Sequence, residues 1–305
     1  MNDPGARREQ PGVIPLRPLG LAEIMQGALA TIRKQPALLL GGAFVVVLIT
    51  GVIQIAVTRN LAFEIPSLDP EQQQMTAQQM RELLVPLATR LGITLAVGLV
   101  TKAFLSGLSI SVVGRTVLGG TLPAGQAWRE LRSRLLPLFG VTIVYSLLVA
   151  LGPAVAVLLV TGTGGADVSV LFLLVGLGVA LWLYVRFSLA MPALVLEPAS
   201  IGNALRRSTA LVRGAWGRTF GILLTAWAIS FLLSMAIELL FSGFSGTQPG
   251  AADTVGTTVL AGLGMIVAGT ITQPFIAAVT ALVYVDRRMR VENMAVSLRE
   301  SARGS

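Results

Sequence analysis

Residues 169–196, SVLFLLVGLGVALWLYVRFSLAMPALVL, carry a single charged side chain, Arg186. Coiled into a helix at about 1.5 Å per residue, this stretch is longer than the roughly 30 Å hydrocarbon core of a bilayer. Its apolar residues form a block rather than the one-sided stripe of a helix at a water-facing surface. Lipid is therefore the solvent it suits. The whole chain agrees: 54% of its 305 residues are hydrophobic and 12% are charged. Soluble domains carry about 25% charged residues.

Working outward, five more blocks of this kind give spans near 37–57, 87–113, 137–160, 220–241 and 257–285, with 169–196 as the fourth. Residues 1–20 read as a flexible tail and 286–305 as a second tail. No signal peptide is expected, because the first apolar block begins only at Pro36. The predicted fold is all-α: a polytopic helical membrane protein with six transmembrane helices arranged as three hairpins.

Positive charge orients the bundle. Of 23 Lys and Arg, 18 fall on the side of the two termini, in the N-terminal segment, the second-to-third and fourth-to-fifth loops, and the C-terminal tail. The opposite side holds only Arg59, Arg81 and Arg90, and Lys102 and Arg186 lie inside spans. The positive-inside rule then puts both termini in the cytoplasm. In the first outer loop, Asp69-Pro70-Glu71 resembles a helix start, with a capping side chain followed by Pro and an acid. The run QQQMTAQQMREL would continue that short helix.

Each odd-numbered span is led in by a segment of helical periodicity with basic residues off its apolar stripe. Leu21, Ile24, Met25, Ala28 and Ile32 form the first stripe. Ala124, Trp128, Leu131 and Leu135 form the second. Ile201, Ala204, Leu205, Ser208, Leu211 and Val212 form the third. Such helices can lie in the membrane interface with arginines toward lipid phosphates. The unit is thus an interfacial amphipathic helix plus a hairpin, used three times. Arg33, Lys34, Arg129, Arg132 and Arg213 are the expected contacts to anionic headgroups.

Two cations inside the spans are the candidate site. Lys102 sits near the middle of span two, and Arg186 about 11 residues from the inner end of span four. Each costs about 2.5–3.5 kcal/mol there and should face the bundle interior or a partner. Glu238 lies near the outer end of span five, which makes a direct pair with Arg186 awkward unless the helices are offset. One reading is an anion or lipid site at mid-depth formed by Lys102 and Arg186. The other is snorkelling, or bonding to carbonyls freed near Pro192 or Pro274. Small residues at four-residue spacing (Ala103, Gly107 and Ser111; Gly264 and Ala268) permit close helix contact.

With no His and no Cys, the usual zinc and haem ligands and the commonest general base are missing. No nucleotide-binding loop or nucleophile elbow is present. No cofactor, metal or catalytic residue is expected. The net charge of +8 is spread over separate loops, which fits anionic lipid rather than nucleic acid. Membrane lipids, a protein partner or a second copy of the chain are the expected partners.

Three segments resemble a known family. They are RPLGLAEIMQGALATIRKQP at the start, VRFSLAMPALVLEPASIGNALRRSTALVRGAWGRTFG in the middle, and LVYVDRRMRVENMAVSLRE at the end. They are similar to bacterial, chiefly actinobacterial, proteins known as the glycerophosphoryl diester phosphodiesterase membrane domain. The resemblance implies a bacterial inner-membrane protein and only the membrane region, since the catalytic domain of fused relatives needs His and metal-binding acids. Arg186, Glu197, Arg206, Arg207, Asp286 and Arg288 match its signature. They read as structural, with Glu197 holding Arg206 or Arg207 and Asp286 holding a neighbouring basic helix. The expected function is a non-enzymatic lipid-interacting or partner-binding membrane module. The alternative is a transporter or permease subunit for a lipid or small anionic solute, with a membrane-surface phosphodiesterase as a distant third.

Overall fold

The computed structural model describes residues 17–60, 77–117, 119–163, 166–197, 199–244 and 255–292. They form helices α1 (Leu21–Lys34), α2 (Pro36–Asn60), α3 (Ala77–Val117), α4 (Ala124–Thr163), α5 (Ala166–Phe187), α6 (Ala190–Leu196), α7 (Ile201–Val212), α8 (Trp216–Phe244) and α9 (Val255–Val291), with no strand among the described residues. Among the described residues six stretches are long and apolar enough to cross a membrane: Pro36–Val57, Val85–Val117, Ala124–Ala156, Val170–Leu196, Trp216–Phe241 and Val259–Val291. Their outward faces carry exposed Leu, Val, Ile and Phe, as on α5, where Leu171, Leu174 and Leu177 are each more than half exposed. An apolar belt of this size has no place in water.

The hairpins are α2–α3, α4–α5 and α8–α9. The last helix is the central post. In its apolar window 61% of residues are buried, against 17–33% in the other five. It touches α1, α2, α3, α6, α7 and α8. Small residues let α4 and α5 cross closely. A Cβ on Gly152 would stand 2.4 Å from the Gly176 carbonyl oxygen, and a Cβ on Gly176 would stand 2.5 Å from Ala156 Cβ. Gly107 faces Leu131 and Leu138 of α4, and Gly264 faces Phe241 of α8. The spaced small residues thus serve contacts within this chain.

Several expectations are corrected. The fourth span is not one helix: α5 ends at Phe187 and α6 begins at Ala190. Pro192 has no N–H to give the Ser188 carbonyl, and its ring clashes there. A side chain from α7 covers the break, since the Ser208 hydroxyl donates to the Arg186 carbonyl at 2.8 Å and accepts from the Leu189 N–H at 3.2 Å. A break at membrane depth persists only where protein supplies the missing partners.

The amphipathic lead-in segments also differ from expectation. The second is not a separate helix; it is the first turns of the 40-residue α4. On α1 the buried residues are Ile24, Gly27, Ala28 and Thr31, and on α7 they are Ala204, Ser208, Leu211 and Val212. These faces lie on neighbouring helices, chiefly α9 for α1 and α6 for α7, so protein rather than lipid covers them. Residues 77–86 continue straight into span two as part of α3; the Asp69-Pro70-Glu71 start lies outside the described residues. The chain ends are less tail-like than expected. Leu19 is fully buried, and α9 runs past position 285 to Val291 with Asp286 at zero exposure.

Candidate functional site

The arginine-rich end of the bundle is tied by two carboxylates. Asp286 accepts from the Leu19 N–H at 2.7 Å and from Arg290 Nε at 2.9 Å, and Arg218 approaches it to 3.4 Å. Arg218 and Arg290 also donate to the Leu19 carbonyl, at 2.5 and 3.0 Å. One buried acid thereby joins the start of α1 to α8 and α9. Glu197, at the exit of α6, accepts from the Tyr284 hydroxyl and from Arg207 at 3.2 Å, with Arg288 at 3.4 Å. Glu292 completes this group, pairing with Arg207 and, at 3.0 Å, with Arg288. Burial alone would raise the Glu197 carboxyl, but the bonds from Tyr284 and Arg207 and the charges of Arg288 and Arg207 outweigh it and hold it below the ordinary glutamate value.

Glu197 therefore pairs with Arg207, one of the two arginines expected for it, and also with Arg288, for which no partner was named. Arg206 does not join them. It lies on the exposed side of α7 and bonds Asn203, one helical turn away. Arg33, Arg129, Arg132 and Arg213 are exposed at this end. Lys34 is exposed too, but its ammonium donates to the Gly119 carbonyl at 3.1 Å, which ties α1 to the α3–α4 turn.

Above this layer lies a cavity of about 530 Å³. Each wall is one face of a helix. On α3 the lining residues Thr94, Gly98, Lys102, Leu105 and Ile110 recur at helical spacing. From α2 come Thr50 and Gln54, from α8 Trp227, Ser234 and Glu238, and from α9 Gln273 and Thr280. On α2, α3, α8 and α9 the lining begins several residues in from the arginine-rich end. Below it stand Tyr284, Leu282 and Val283, all fully buried. At its other limit Glu238 is exposed, and Trp227 and Gln273 are exposed lower on the wall, so the cavity reaches the surface on that side.

Lys102 projects onto this wall with its ammonium 4.3 Å from the Tyr145 ring centroid. A cation over an aromatic face gains about 0.5–2 kcal/mol, which offsets part of its burial cost. Tyr145 leans on Tyr184 at 5.9 Å between centroids, and Trp227 Nε1 donates to the Tyr184 hydroxyl at 2.7 Å. Among the described residues neither Lys102 nor Glu238 makes an ion pair.

The structure does not pair Lys102 with Arg186. Arg186 is absent from the cavity wall, and its guanidinium lies 4.6 Å from the Trp182 ring centroid. The helix face is the reason: Tyr184, Phe187 and Ser188 line the cavity with Lys102, while Arg186 lies on a different face of α5, one turn from Trp182.

The cavity's other polar residues were not singled out from sequence. A signal was present: Thr50 and Gln54, or Thr94, Thr101 and Lys102, repeat at helical spacing within apolar spans. Gln54 and Thr94 prove to be hydrogen-bonded across α2 and α3 at 2.9 Å.

No curated protein and no solved structure matches the chain. A family model described as a domain of unknown function, DUF7847, matches residues 19–287, from the buried leucine held by Asp286 to the arginine that follows it. The chain belongs to that DUF7847 family.

Proposed function

We propose that the protein is a non-enzymatic membrane module that holds a membrane lipid by its anionic group in the cavity between its helices. The observation that carries this reading is Lys102, a cation at mid-depth on a largely apolar cavity wall with no carboxylate paired to it. An unmatched charge there is costly unless a ligand neutralises it. The cavity's size is in the range of small-ligand sites, which run about 300–1,000 Å³. Its apolar lining suits acyl chains and its ammonium an anionic group.

The positive-inside rule supports placing the arginine-rich end in the cytoplasm of a bacterial cell, with both termini there. Arg33, Arg129, Arg132 and Arg213 would then face the anionic inner-leaflet surface. The resemblance to the phosphodiesterase membrane domain fits this reading, since that region is a membrane partner rather than a catalyst.

Native mass spectrometry of the protein released from mild detergent tests the proposal. Wild type should retain phosphate-bearing lipid, Lys102→Met should lose it, and Arg186→Leu should not. Equal retention by Lys102→Met and wild type would sink the reading. A second reading, a carrier for the same ligand, is favoured by the cavity's being closed by Tyr284 and its neighbours at one end and reaching the surface at the other. Lys102-dependent lipid movement across reconstituted vesicles would establish it.

A further inference from the structure

We propose that the cavity's ligand is zwitterionic: an acyl-bearing molecule whose anionic group meets Lys102 and whose ammonium meets Glu238. This rests on the binding reading above and names the ligand's class. The cavity wall holds one cation and one carboxylate, on different helices, and among the described residues neither makes an ion pair.

Their spacing suits a molecule between them. Lys102 lies about 15 residues from the arginine-rich end of α3 and Glu238 about 22 residues from that end of α8, so their backbones differ in depth by roughly 10 Å. The two side chains can close part of that distance, leaving room for a short link between an anion and an ammonium. Gln273 lies on the wall as a further polar contact.

A purely anionic headgroup would satisfy Lys102 but meet repulsion from Glu238, and a purely cationic one would do the reverse. In a region of low dielectric that penalty is felt across several ångströms. Val47, Leu105, Ile110, Met265 and Ile266 supply apolar wall for chains. The mouth lies at Glu238, so the ammonium would be the end nearer the surface and the anionic group the deeper one.

The test compares two lipids of equal chain length, phosphatidylethanolamine and phosphatidylglycerol, added to delipidated full-length protein in detergent and counted by native mass spectrometry. Both carry the phosphate, and only the first carries an ammonium. Wild type should favour the ethanolamine lipid by at least about fivefold. Glu238→Gln should bring the ratio close to one, Glu238→Asp should keep the preference, and Glu82→Gln, on the exposed start of α3, should leave it unchanged. Lys102→Met should lower retention of both lipids.

A ratio unmoved by Glu238→Gln, with both lipids still dependent on Lys102, overturns the zwitterion and leaves the anion site standing. Retention indifferent to Lys102→Met overturns both. A wild type that prefers phosphatidylglycerol, or preference lost equally in Glu238→Asp, also overturns the zwitterion.

Discussion

Ser208 sits inside a 12-residue amphipathic helix, where a hydroxyl ordinarily bonds back to its own turn or faces water. Here it faces α5 and α6 and serves two backbone groups that the Pro192 break leaves without partners. Ser208→Ala should therefore strand both, at about 1–3 kcal/mol. A fall in the thermal midpoint in detergent checks this against Ser133→Ala, whose exposed hydroxyl serves only its own helix. Glu197 allows a prediction in pH. Its carboxyl is held below the ordinary value in the fold, so its pairs stabilise above the unfolded value and that contribution is lost as pH falls through the folded one. Glu197→Gln should lower the thermal midpoint at neutral pH and flatten its decline below about pH 4.5. An unchanged slope would mean that Glu197 is not part of the acid-sensitive set.

At the scale of the element, contacts between helices separate what sequence shows from what it hides. The number of spans and their places were legible, because a block of about 20 apolar residues is a one-dimensional signal. The break in span four was not, although Pro192 was visible. A proline can kink a continuous helix as readily as end it, and the deciding partner, Ser208, lies in another helix. Arg186 was misread for another reason: its neighbours Tyr184, Phe187 and Ser188 reach the cavity, but its own face of α5 turns to Trp182, which depth alone does not tell. Glycines carry the opposite lesson. Gly107 and Gly264 announced themselves by spacing, and Gly152 with Ala156 and Gly176 with Ala180 repeat that four-residue spacing, but only the structure shows that these two pairs make the backbone-to-backbone crossing of α4 and α5. Gly152→Ala should force that crossing apart, because its Cβ would meet the Gly176 carbonyl oxygen at 2.4 Å and the Ala180 nitrogen at 2.9 Å. Gly178→Ala, with nothing within 4 Å, should leave the thermal midpoint in place. Equal midpoints for the two variants would remove the crossing as a stabilising contact.

For the whole molecule, the two ends of the bundle are built differently. One is knit by Asp286 and Glu197 with four arginines and the Tyr284 hydroxyl. The other holds the cavity, whose mouth is marked by the exposed Glu238. If the arginine-rich end is cytoplasmic, the cavity is reached from the opposite face of the membrane. Because the chain has no cysteine, single-cysteine variants report on this without background. Thr280 lines the cavity floor, while its neighbour Val279 is fully buried away from it. In intact cells a membrane-impermeant thiol reagent should label Glu238→Cys quickly and Thr280→Cys slowly, and should spare Val279→Cys. Excess short-chain phosphatidylethanolamine should slow the reaction at Thr280→Cys, because the ligand would occupy the path to it. Labelling of Glu238→Cys only after the membrane is permeabilised would reverse the orientation. Equal labelling at 279 and 280 would mean that the helix face assigned to the cavity is not the face that water and ligand reach.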